Sequence, residues 1–146
     1  HKIGKLGENV FVWHDKCISN ENGWTNMTPE FEKIISPSSI LLFRYSALTF
    51  NSHRIHYDHI YSTKAEGYPG YLVHGPLTCT FLLDLVRDNL PSTAYIRSFS
   101  YRALSPLYVG EEFKLCGSKS DINDKSFDVW AENIQGGVAM KGTAMI

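Results

Sequence analysis

The stretch Gly75-Pro76-Leu77-Thr78-Cys79-Thr80-Phe81-Leu82-Leu83-Asp84-Leu85-Val86-Arg87-Asp88-Asn89-Leu90-Pro91 decides the fold class. Pro at a first helical position gives up an N–H that no helix uses, the Gly before it can cap, and Pro91 stops the segment. A helix is therefore predicted from Gly75 to about Leu90. At about 100° per residue, Thr80, Asp84, Arg87 and Asp88 share one narrow stripe, while Leu77, Phe81, Leu82, Leu83, Leu85 and Val86 spread over much of the remaining circumference. Such a helix must be wrapped by other structure.

The wrapping elements lie downstream, where the period changes to two. Tyr95, Arg97, Phe99, Tyr101 and Ala103 fall on one face of an expected strand over 95–104, which Ser105-Pro106 ends. Three more strands are expected over 112–116, 127–132 and 138–146, with Asn123-Asp124 and Gly136-Gly137 as turns. One long buried helix followed by an antiparallel meander is an α+β layer design in which the sheet curls around the helix.

Upstream the reading is different. Ser19-Asn20-Glu21-Asn22-Gly23 is turn-rich, and Pro29 and Pro37 punctuate the residues after it, so 14–39 is expected to be a connector. Val10-Phe11-Val12-Trp13 reads as a strand, and 1–13 as the remnant of a preceding unit. His1 rather than Met at the start fits a piece cut from a longer chain, with any targeting segment outside it. The 146 residues suit one domain, expected over 40–146.

Composition narrows the function. A net charge of -1, with the basic residues scattered singly, supplies neither a global field nor a local patch for a polyanion, so no nucleic-acid partner is expected. No apolar run approaches the roughly 18 residues needed to cross a bilayer, so no membrane partner is expected either. Cys17, Cys79 and Cys116 are odd in number and widely spaced, which fits neither a disulfide framework nor a zinc knuckle.

Reactive side chains gather in Asn51-Ser52-His53-Arg54-Ile55-His56-Tyr57-Asp58-His59 and at His74-Gly75. Four of the six histidines lie here. Histidine ionises near neutral pH, so acid–base chemistry is the natural use. Taken singly, His53 and His59 read as surface or capping residues. Asn51 and His56, separated by a turn into a short helix, are expected on one pocket wall. Gly75 opens a helix, where an unpaired N–H in a positive field suits an oxyanion; the plain alternative is a Gly cap with His74 packed beneath.

Three ordered motifs, Phe50-Asn51-Ser52-His53-Arg54-Ile55-His56-Tyr57-Asp58, Gly67-Tyr68-Pro69-Gly70-Tyr71-Leu72-Val73-His74-Gly75-Pro76-Leu77 and the run from Phe99 to Gly110, resemble the MaoC-like hydratases and dehydratases of the hot-dog fold. The resemblance covers about 40–146 and is strongest to the branch of the mitochondrial 3-hydroxyacyl-thioester dehydratase and the mesaconyl-CoA-type hydratases. It implies reversible syn addition of water across a trans-2-enoyl thioester to give a (3R)-3-hydroxyacyl thioester, without a metal or other cofactor, in mitochondrial fatty acid synthesis. The implied roles are His56 as base at C2, the Gly75 N–H on the thioester oxygen, and Asn51 orienting the hydroxyl or water. His56 itself, His53 or Asp58 returns the second proton. Arg54, Tyr71 and His74 are assigned to binding an acyl-CoA or acyl-carrier-protein substrate, and Arg97 and Arg102 are further candidates for its phosphates.

In the broad family an Asp stands five residues before the His with an Asn between them; here those positions hold Asn51 and His53. Asn does not exchange protons as a carboxyl does. This departure keeps a catalytically silent, thioester-binding hot dog as one alternative. A two-His-one-carboxylate iron site of His56, Asp58 and His74 is another. The resemblance also implies pairing, either as a homodimer or with an N-terminal hot-dog half.

Overall fold

The computed structural model describes residues 28–120 and 125–146. The strand expected at 10–13, Cys17 and the Asn123-Asp124 turn lie outside the described residues. Five strands form one antiparallel sheet: β1 Phe31–Ile35, β2 Ser98–Ala103, β3 Phe113–Lys119, β4 Ser126–Glu132 and β5 Val138–Met145, in the order β1-β3-β4-β5-β2. The meander β3 to β5 occupies the centre, and the first two strands close the edges. Helix α2, Gly75–Asp88, packs on the sheet and buries Leu77, Leu82, Leu85 and Val86 against Leu115, Val129, Ala131 and Met140. This is the expected α+β hot-dog architecture.

Two expectations about boundaries change. Residues 31–35, inside the stretch read as a connector, form β1, which pairs with β3 from Phe31 opposite Gly117 to Ile35 opposite Phe113. The strand expected from Tyr95 begins at Ser98, because its ladder partner β5 ends at Met145, opposite Ser98.

Helix α1, Ser39–Thr49, has only the apolar run Ile40–Phe43 as its signal in the sequence. Ser38 caps it, its Oγ accepting from the Leu41 N–H at 3.2 Å. It ends where Phe50 turns left-handed at φ 54° and the Asn51 N–H donates to the Ser46 carbonyl at 2.9 Å. Helix α2 starts as expected: extended His74 precedes Gly75-Pro76, and the N–H groups of Leu77 and Thr78 donate to its carbonyl, each at 3.1 Å.

The edge strands lay aromatic rings over glycines of the inner strands. A Cβ on Gly142 would stand 2.7 Å from the Ser100 carbonyl and 2.8 Å from the Phe99 ring, and one on Gly117 would run into Phe31. These positions need glycine for close approach.

Leu82, with 0 % of its surface exposed, sits on the sheet-facing side of α2. Leu82→Ala is expected to cost about 2–5 kcal/mol, read as a lower urea midpoint at unchanged slope. A loss under about 1 kcal/mol would show that the helix does not pack against the sheet as described.

Candidate functional site

Between the two helices the chain makes a series of tight turns that carry most of the reactive residues. The side-chain oxygen of Asn51 accepts from the His53 N–H at 2.9 Å, an Asx turn that leads into the 3-10 turn Arg54–His56. Asp58 then closes the segment. One carboxylate oxygen accepts from Arg54 at 2.7 and 3.1 Å, and the other takes the Tyr61 N–H at 2.9 Å at the head of the π-helical stretch Tyr61–Ala65. The Tyr61 N–H and the Arg54 guanidinium hold the Asp58 carboxyl below its ordinary value. Arg54 also lies over the Tyr61 ring at 4.2 Å.

His56 is 7 % exposed, and its Nδ1 lies 2.8 Å from the carbonyl oxygen of Leu72. A carbonyl only accepts, so Nδ1 carries the proton and Nε2 keeps its lone pair. The acceptor is itself fixed. Leu72 donates its N–H to Ile55 at 3.1 Å and forms a bridge with Tyr108, while the Val73 and Val109 N–H groups donate to Leu107 and Tyr71. Burial, the largest cause, and nearby His53 lower the His56 pKa below the ordinary histidine value, partly opposed by the Leu72 bond.

His74 stacks on His56 with ring centroids 3.7 Å apart and planes 21° from parallel. It has no exposed surface, its Nε2 meets Ser46 Oγ at 2.8 Å, and Tyr45 approaches its ring edge-on at 4.9 Å. Burial, with His56 beside it, pushes its pKa down to about 4. The ring expected to bind substrate thus has no exposed surface, and the side chains it meets are those of Ser46, Tyr45 and His56.

His53 approaches His56 edge-on at 5.7 Å. Asn51 precedes His53 by two residues. It lines a cleft of about 390 Å³ with Phe43, Ser46, Phe50 and Tyr57, and among the described residues no hydrogen bond joins it to His56. Its Oδ1 is engaged by the Asx turn, which leaves the Nδ2 donor for a ligand. Tyr71 packs edge-on against His59 at 5.3 Å. Gly75 lines a second cavity of about 290 Å³ with Leu72, Thr78, Leu107 and Met140. No acceptor for its N–H is found among the described residues, as the first turn of a helix requires.

Sequence reasoning missed Ser46. A serine inside an apolar helix carries no signal of its own, and only the packing of α1 brings it to His74. The iron alternative loses its ligands: Asp58 is engaged on both oxygens and His74 on Nε2. No group of three His, Cys, Asp or Glu among the described residues can hold a metal ion.

A five-stranded antiparallel sheet against one long helix, with a buried histidine next to a helix N-terminus, defines the class as hot-dog. Solved structures agree on the fold. The R-hydratase PhaJ1 of Pseudomonas aeruginosa superposes with a TM-score of 0.70 at 18% identity, over 78% of this chain and 76% of that one.

The family model of hydroxyacyl-thioester dehydratase type 2 matches residues 9–109, and the chain belongs to that family. It is 40% identical over 111 residues to the mesaconyl-C(4)-CoA hydratase of Chloroflexus aurantiacus, covering 76% of this chain and 38% of that protein. It is 38% identical over 93 residues to the mitochondrial hydroxyacyl-thioester dehydratase type 2 of Schizosaccharomyces pombe, covering 63% and 31% respectively. The chain thus spans under two fifths of the length of these relatives.

Proposed function

We propose that the protein interconverts (3R)-3-hydroxyacyl and trans-2-enoyl thioesters by loss and addition of water. The observation that carries this reading is the Nδ1 contact of His56 with the Leu72 carbonyl, which leaves Nε2 as a free base. His56 also stacks on the residue that immediately precedes the Gly75 N–H. In dehydration, Nε2 takes the proton from C2, the Gly75 N–H stabilises the negative charge that develops on the thioester oxygen, and the C3 hydroxyl leaves as water. The proton needed by that hydroxyl comes from the His56 imidazolium, which lies on the same face and so makes the elimination syn. His53, at the edge of His56, offers a path to solvent, and Asn51 Nδ2 is a donor for the hydroxyl. Asp58, already bound by Arg54 and Tyr61, takes no proton in this scheme.

The partner is a second hot-dog unit, from another copy or from another part of a longer chain. Ile40, Phe43 and Leu48 of α1 are exposed, and Phe50 is 94 % exposed in a left-handed conformation that a bulky side chain rarely adopts. Burial under such a unit accounts for both the apolar face and the strained cap. The acyl group is carried on coenzyme A or acyl carrier protein. A mitochondrial setting has its support in the fission-yeast relative, whose name places that protein there.

Among the described residues no carboxylate is bonded to His56, which favours a second reading, a hot dog that binds acyl thioesters without turning them over. One measurement separates the two: the absorbance of the conjugated thioester after adding crotonyl-CoA, followed across pH. Turnover is expected, with kcat/KM falling on the acid side as His56 takes up a proton. Because the His56 pKa is lowered, that fall is expected below the ordinary histidine value of roughly 6.5. Binding without loss of absorbance selects the silent reading, and an acid limb above that value removes His56 as the base.

A further inference from the structure

We propose that His74 is a positioning residue: its buried ring, anchored by Ser46, fixes the plane of the His56 imidazole and hence the direction of the Nε2 lone pair. The inference rests on the hydratase reading for its role in turnover, but the geometry stands apart from it. A hydrogen bond from Nδ1 to the Leu72 carbonyl holds one edge of His56 and still lets the ring swing about that bond. A face-to-face neighbour at 3.7 Å removes this remaining freedom. The two constraints act in perpendicular directions, one within the ring plane and one across it.

The anchor of His74 is built from a different element than the anchor of His56. Ser46 on α1 holds Nε2 at 2.8 Å, Tyr45 from the same helix blocks the ring edge, and the backbone carbonyl of His74 caps the first turn of α2. His74 Nδ1 is buried and has no partner among the described residues. An unpaired buried nitrogen is a desolvation cost that a phenyl ring of similar shape would avoid. The ring also supplies no proton route of its own, since one nitrogen is closed by Ser46 and the other opens on no group. What an imidazole offers here is a flat face held by a hydroxyl. Among the described residues, the titratable groups that face the pair are Tyr45 from α1 and His53 ahead of the 3-10 turn.

The test compares two double variants that fill the site and remove both buried polar groups, Ser46→Ala/His74→Phe and Ser46→Ala/His74→Leu. Removing both partners together leaves no unsatisfied group, so both variants are designed to fold. Only Phe presents a flat face to His56. With crotonyl-CoA, the Phe form is expected to keep kcat within about tenfold of the unaltered protein, and the Leu form to lose about a hundredfold, with KM moving little in either. NMR relaxation of the His56 ring is expected to show a rigid imidazole in the Phe form and a mobile one in the Leu form, with the Nδ1–H tautomer set by the Leu72 carbonyl kept in both. Equal kcat values and equal mobility of the His56 ring in two folded variants would overturn the proposal, because a role confined to filling space predicts that result. If the unaltered protein turns over no thioester, the hydratase reading fails, while the NMR comparison still decides whether His74 sets the ring of His56.

Discussion

His56→Asn is expected to lower kcat for enoyl-thioester hydration by about 10²–10⁴-fold, the usual range for loss of a positioned acid–base group. Asn is the informative replacement because its side-chain NH₂ can take the place of Nδ1 and donate to the Leu72 carbonyl, now 2.8 Å from the ring. The buried acceptor stays paired, and the change is confined to the missing Nε2. KM is expected to move far less than kcat, since the lost interaction belongs to the transition state. The thermal midpoint measured in parallel should drop only modestly, the loss being one face of the stack with His74. A variant that retains most of its turnover would remove His56 from the chemistry and shift attention to His53, whose exposed ring meets His56 edge-on at 5.7 Å.

Gly75→Pro is expected to cost about 10²–10³-fold in kcat, the effect of removing one oxyanion donor. The backbone already suits proline. His74 is extended at φ -63° and ψ 129°, which a following proline accepts, and the first helical position is where proline is best tolerated. Gly75→Ala is the control. It keeps the N–H, its φ lies outside the left-handed range, and its Cβ meets only Met140 Cε at 4.0 Å, an ordinary contact. Near-normal turnover in the Ala form with the Pro form impaired assigns the effect to the donor. Equal impairment in both would instead assign it to space in the cavity shared with Leu72 and Met140.

The readability of this chain from its sequence varies along its length for physical reasons. Helix α2 announces both of its ends through Gly75-Pro76 and Pro91, and the strands β3 to β5 show their alternation because one face of each packs on that helix. Strand β1 does not. It is five residues long, it leaves Ile34 exposed beside Glu32 and Lys33, and prolines flank it, so its pattern reads as a loop. Helix α1 is apolar almost all round, which removes the periodic signal; Leu42 faces the core while Phe43 is exposed.

At the site, the motif around His56 is legible as chemistry but not as geometry. The Asx turn engages the Asn51 oxygen, Arg54 pairs with Asp58, and the partnership of Ser46 with His74 joins residues 28 positions apart. Each depends on chain direction after a turn, which local composition does not encode.

The atom that fixes His56 in its basic tautomer is a main-chain oxygen, that of Leu72. Every amino acid supplies that oxygen, so replacement of the Leu72 side chain leaves the acceptor in place. The same side chain contributes to the wall of the cavity at Gly75. Under the proposed hydratase reading, position 72 is therefore free to vary in size and shape with the acyl group while the protons of the His56 ring stay where they are. On that reading, selectivity and reactivity are carried by different atoms of one residue and can change separately.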